Sequence, residues 1–110
     1  FSPLASGVLT GKYASATPPD SRAASPHLAY MVDPYLGESQ AKIVSATMRV
    51  AGGLGISSAA LAAAWALTQP AVSTVVIGPR TEAQLTDILD GYDKRLPREL
   101  REALTEAALP

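Results

Sequence analysis

The stretch VSTVVIGPRTEAQLTDIL, residues 72–89, changes character partway along. Its opening, VSTVVI (72–77), is rich in β-branched side chains and bounded by Pro70 and Gly78, which predicts a strand. A near-continuous apolar run of this kind is a strand covered on both faces. Gly78-Pro79-Arg80 interrupts it. Thr81 and Gln84 then stand as T-x-x-Q, the capping-box arrangement that opens a helix. Leu85, Ile88 and Leu89 supply that helix's apolar stripe. Arg80 therefore lies just before a helix start, where unpaired N–H groups attract anions. A guanidinium there can also fork onto phosphate oxygens.

Upstream, two further helices are predicted. Ile43, Ala46, Val50 and Leu54 recur at helical spacing, giving a helix from about Glu38 to Ala51 that Gly52 and Gly53 terminate. The second begins at Ser57 or Ser58, either a good N-cap, and runs through the alanines around Trp65 until Pro70 stops it. So many alanines imply a closely packed neighbour. Downstream, Pro97 opens a fourth helix whose apolar face is Leu100, Leu104 and Ala108.

The amino-terminal run ASGVLTGKYAS (5–15) comes close to a P-loop, with Gly11-Lys12 at its centre. A P-loop needs glycine five residues before Gly11 and a small hydroxyl residue after the lysine. Ser6 and Tyr13 stand there instead, so the motif is not present. Phe1-Ser2-Pro3-Leu4 reads as a short extended run leading into small residues, a strand end whose loop approaches an anion closely. Residues 14–35, with prolines at 18, 19, 26 and 34, form a long loop, usually a functional or disordered feature. His27 lies within it without carboxylate or cysteine partners at metal spacing, and no metal site is expected.

Composition narrows the classes. The chain has 110 residues, 47% of them apolar, and a formal net charge of -1. That size suits one small domain, and the charge balance favours neither nucleic acid nor an anionic membrane. The absence of cysteine excludes a disulfide scaffold and thiolate metal sites and fits a reducing, cytoplasmic setting. The longest apolar run, Ala59 to Leu67, is too short to span a bilayer. The predicted order is strand, long loop, two helices, strand, helix, helix. Two strands separated by helices imply parallel pairing, yet two strands alone leave edges open. The expectation is a single α/β domain over 1–110 that forms the closing part of a larger structure, truncated on its amino-terminal side.

Three segments then carry a resemblance to a known family. FSPLASGVLTGKY (1–13), PPDSRA (18–23) and VSTVVIGPRTEAQLTDIL (72–89) resemble the seventh strand and its loop, the cofactor-covering segment, and the eighth strand with its helix in the aldo-keto reductases. The similarity extends to the branch that includes the potassium-channel β subunits and covers essentially the whole chain. It implies the C-terminal third of a (β/α)₈ barrel, helix-rich and incomplete, with strands seven and eight and their helices. In such barrels a phosphate site commonly lies at the loops after strands seven and eight.

The resemblance assigns roles toward NADP(H). Phe1 would lie against the nicotinamide, and Ser2, Pro3, Leu4, Ala5 and Ser6 would line the cofactor. Lys12 and Arg22 would approach the phosphates. Gly78 would permit close backbone approach, Arg80 would meet the 2′-phosphate, and Gln84 and Asp87 the adenosine end. Ile88 departs from the family, which often has asparagine at that place, so adenine would be held there less specifically, or by packing. Taken without the resemblance, the same residues have plainer readings. Gln84 completes a capping box, Lys12, Arg22, Arg80 and Asp87 are surface charges, and Phe1 and Trp65 are core aromatics.

The resemblance further implies a parent that transfers hydride from NADPH to an aldehyde or ketone. The family's tyrosine, lysine, aspartate and histidine set lies in an earlier part of the barrel, so no catalytic residue is assigned here and the 110 residues alone should be inactive. The alternatives are a non-catalytic, NADP-sensing regulatory module of the channel-β kind, or a short interaction module. A chain of this size with uncovered apolar faces is also expected to aggregate or to unfold partly.

Overall fold

Four helices form where the caps predict them. The computed structural model describes all of residues 1–110, and its α-helices are α1 (Glu38–Leu54), α2 (Ser58–Leu67), α3 (Glu82–Leu89) and α4 (Arg98–Ala107). Ser57 caps α2, its hydroxyl accepting from the Ala60 N–H at 3.0 Å. Thr81 caps α3 by accepting from the Gln84 N–H at 3.1 Å. Pro97 lies just ahead of α4 rather than in its first turn. An Arg98–Glu102 pair at 2.6 Å bridges the first turn of α4 on its exposed side.

α1 continues past its predicted end. Gly52 and Gly53 are helical, and Gly55 stops the helix in the left-handed conformation at φ 68°. The Gly55 N–H returns to the Gly52 carbonyl and the Ile56 N–H to the Ala51 carbonyl. That double closure is a Schellman motif, and Ile56 packs back on the cluster around Ala51 as such motifs favour. The chain then bends by 96° into α2. No single helix is long and apolar enough to cross a membrane.

The buried face of α1 is Val44, Thr47 and Ala51. The expected stripe of Ile43, Ala46, Val50 and Leu54 is thus rotated by one residue, and Leu54 is exposed. Thr47 can lie on the buried face because it is short and its hydroxyl donates to the Ile43 carbonyl at 2.9 Å. In α3 only Ile88 of the expected stripe is buried, while Leu85 and Leu89 face outward. In α4, Leu104 packs on the core, but no residue of the helix is fully buried.

α2 is the centre of the molecule. Ala59 through Ala64 are all buried, and α1, α3 and the amino-terminal turn all pack on it. The close neighbour implied by the alanines is Gly91. A Cβ added there would overlap the Ala60 carbonyl, so the backbones touch with no side chain between them. Trp65 is half-buried at the cluster of Ala51, Leu61, Ala64 and Leu96, and its indole N–H donates to the Arg101 carbonyl at 3.4 Å.

Neither expected strand forms. Residues 72–77 hold no regular structure, and none of residues 73–79 takes part in a backbone hydrogen bond. A strand exists through its ladder, and the chain offers this segment no partner strand. At the amino terminus Ser2, Ala5 and Ser6 adopt φ of 54°, 47° and 57°. Left-handed residues cannot continue a strand, and the segment instead winds into a kinked 3₁₀ turn over Ala5–Thr10. The segments expected as strands seven and eight are thus irregular in this chain, whose regular structure is all helical.

The segment 14–35 is more ordered than a loop reading suggests. Three short 3₁₀ turns occupy Arg22–Ala24, Ala29–Met31 and Asp33–Tyr35. Val32 is completely buried against Val8 and Val44, which anchors the segment to α1 and the amino-terminal turn. Ser21 is buried too, its hydroxyl donating to the Pro18 carbonyl at 2.6 Å.

Candidate functional site

The amino-terminal turn, the segment 76–80 and the start of α3 face one another across a cavity of about 520 Å³. Its lining includes Phe1, Ser2, Pro3, Leu4, Ser6, Lys12, Arg22, Gly78, Arg80, Gln84 and Asp87. Every residue assigned by the resemblance is there except Ala5, which packs instead against the Val8–Val32–Val44 cluster. Two distant parts of the sequence thus converge as expected, although as irregular segments and not as strand tips.

Left-handed backbone shapes the amino-terminal wall. Gly7 has φ 95°, and a Cβ on it would stand 3.0 Å from both Cε and Nζ of Lys12. The lysine thus folds back over a residue that has no side chain. Its ammonium lies 5.3 Å from the centre of the Tyr13 ring, within cation–π range. The Tyr13 hydroxyl accepts from the Ala23 N–H at 3.4 Å and so ties this wall to the segment bearing Arg22. Gly11, at φ 81°, closes the turn against Met48, whose sulfur would lie 2.7 Å from an added Cβ. Thr10 reinforces the turn by donating to the Gly7 carbonyl at 2.7 Å.

The opposite wall is organised by Gln84. Its side-chain oxygen accepts from the Arg80 N–H at 2.7 Å, while its own N–H donates to Thr81. A capping box would direct that oxygen to the N-cap residue's own amide. Here it reaches one residue further back and fixes the backbone of Arg80. The Arg80 guanidinium donates to the Asp20 carbonyl at 3.2 Å, across to the segment that carries Arg22.

Lys12, Arg22 and Arg80 border one cavity with a single carboxylate, Asp87, among the lining residues. None of the three belongs to an ion pair; the pairs present are Glu38–Lys42, Asp90–Lys94 and Arg98–Glu102, each within a helix or at its end. Three cations without carboxylate partners beside a helix start form a donor set suited to phosphate groups. The floor is apolar. Ile88 is buried with Ala59 and Ala63, and Leu4 and Ile77 pack on that cluster. Ile88 therefore offers a flat contact and no hydrogen bond.

Several lining residues were not singled out from the sequence. Gly7 and Thr10 lie in the small-residue turn, where the run itself was the signal. Pro79 is part of the break after residue 77. Met31 and Ala59 carry no local signal, because their places depend on how the 14–35 segment and α2 pack. His27 stays exposed and outside the cavity, and no three His, Asp or Glu residues come together around it.

The sequence profile described as "Aldo/keto reductase family" matches residues 1–108. The chain belongs to that family, which is built on a (β/α)₈ barrel and whose general class is the oxidoreductases. Among curated proteins it is similar to the "Probable voltage-gated potassium channel subunit beta" of Oryza sativa subsp. japonica, 39% identical over 94 residues. The protein of the same description from Arabidopsis thaliana is also 39% identical over 94 residues. In both cases the match covers 84% of this chain but only 29% of the relative's length.

Proposed function

We propose that this chain is the cofactor-holding, C-terminal part of an NADPH-dependent reductase of aldehydes or ketones. The observation that carries the reading is the convergence of Lys12, Arg22 and Arg80 on one cavity beside the start of α3. Such a set matches a dinucleotide bearing a pyrophosphate and a 2′-phosphate. Arg80 holds the 2′-phosphate, Lys12 and Arg22 meet the pyrophosphate, and the turn at Ser2–Ser6 lines the cofactor between them. Gln84 and Asp87 border the adenosine end, with adenine packed on Ile88. Phe1, fully exposed, presents its ring to the nicotinamide. When bound, the cofactor supplies the hydride. The residues of this chain bind and orient it, and the protein's proton donor comes from the part of the barrel that corresponds to earlier strands.

Arg80 gives the decisive test. A hydrogen bond to a charged group contributes roughly 1.5–3 kcal/mol, which sets a preference for NADPH over NADH of about ten- to a hundredfold. Titration of both cofactors into the full-length parent and its Arg80→Ala variant measures it. The variant should lose most of the preference while keeping its affinity for NADH. Unchanged discrimination removes Arg80 from the role.

A second reading rests on the named relatives. A channel-β-like protein would bind the same cofactor as a sensor for a membrane partner, with slow turnover. Mixing the NADPH-loaded full-length parent with simple aldehydes separates the two. Rapid loss of the nicotinamide absorbance supports the reductase; tight binding without multiple turnovers supports the sensor.

A further inference from the structure

Tyr13 breaks the P-loop pattern at the place where that motif requires a small hydroxyl residue. In the structure it makes three contacts. Its ring is half-buried and packs on the cluster of Val8, Val32 and Val44. The Lys12 ammonium lies 5.3 Å from the centre of the same ring. Its hydroxyl accepts from the Ala23 N–H at 3.4 Å, and that N–H belongs to the peptide joining Arg22 to Ala23. Tyr13 itself does not line the cavity, whereas Lys12 and Arg22 both do. Any effect it has on a ligand therefore passes through those two neighbours.

We propose that Tyr13 is the positioning residue for the pyrophosphate end of the site, a role that rests on the cofactor reading above. Packing on three valines fixes the ring, and the ring's negative face then holds the Lys12 cation. A lysine ammonium on its flexible stem otherwise spreads over many rotamers. Holding it near its working place lowers the ordering cost when a phosphate arrives. The tyrosine hydroxyl does the same for the backbone that carries Arg22. One side chain thus sets two cations that come from separate segments. Arg80 is held from the opposite wall, its N–H by the Gln84 side chain. The two charged ends of the cofactor are therefore positioned by different residues, Tyr13 for the pyrophosphate and Gln84 for the 2′-phosphate.

Titration of the full-length parent with NADPH, NADH and 2′-AMP tests this role. 2′-AMP carries the phosphate that Arg80 meets and has no pyrophosphate. Tyr13→Leu should weaken NADPH and NADH alike, by about tenfold, and 2′-AMP by less than about twofold. Tyr13→Phe keeps the ring on its valines and removes only the hydroxyl. It should weaken both dinucleotides by about two- to fivefold, and it carries the test if Tyr13→Leu does not fold. With Lys12→Met already in place, Tyr13→Leu should cost only what Tyr13→Phe costs, because the ring then has no cation to hold. A tyrosine that merely supports the fold would cost the same with either residue at 12. Unchanged dinucleotide affinity in both Tyr13 variants, equal losses of 2′-AMP and NADPH, or full additivity with Lys12→Met would overturn the proposal. Failure of the unsubstituted parent to bind either dinucleotide would remove the cofactor reading and this role with it.

Discussion

Gln84 settles a competition that the sequence left open. One amide was available either to cap α3 or to meet a ligand. Its oxygen is engaged with the Arg80 N–H and its backbone N–H with Thr81, which leaves the side-chain NH₂ for anything in the cavity. The residue therefore positions Arg80 whatever else it contacts. Gln84→Leu should reduce the NADPH preference less than Arg80→Ala does, because the guanidinium survives while its backbone is released; cofactor titration of both variants tests the order. Thr81→Ala removes only the cap and should cost about 1 kcal/mol. A urea midpoint that falls without a change in slope would show that loss, and an unchanged midpoint would mean that the cap contributes nothing.

Among the elements, helices were legible and strands were not, for one physical reason. A helix satisfies its backbone locally, so its limits follow from residues such as Ser57 and Thr81 that sit beside it in the sequence. The terminus of α1 shows the limit of that logic. Gly52 and Gly53 looked like a stop, but Gly55 is the one whose positive φ ends the helix. Gly55→Ala should therefore cost about 1 kcal/mol, although its Cβ would meet nothing within 4 Å. Denaturant unfolding measures it, and no loss of stability would place the stop elsewhere. The run 72–77 has strand composition, but a ladder needs a second strand that composition cannot supply. Lys12, Arg22 and Arg80 could be picked out because they matched a familiar pattern, and the structure brings them to one cavity. Met31 and Ala59 could not, since only tertiary packing brings them to the cavity.

At the scale of the whole molecule, compactness and burial diverge. The Cα radius of gyration is 13.5 Å, near the roughly 13 Å expected for a domain of this length. Yet only 15 of 110 residues are buried, and most of the apolar ones fall into three small clusters instead of one core. Such a chain has little reserve. Calorimetry of dilute chain should give a broad, weakly cooperative transition, and a sharp two-state melt of a monomer would contradict that. Mixed with NADPH and an aldehyde, the same chain should oxidise none of the cofactor. Within this thin core the meeting of Gly91 with Ala60 has a genetic corollary. Every missense allele at 91 introduces a carbon into space held by main chain, which no rotamer change can vacate. In a saturation library selected for folding, all replacements at 91 should vanish together. Alleles at 52 and 53, where an added carbon meets nothing within 4 Å, should persist, and alanine there should be enriched.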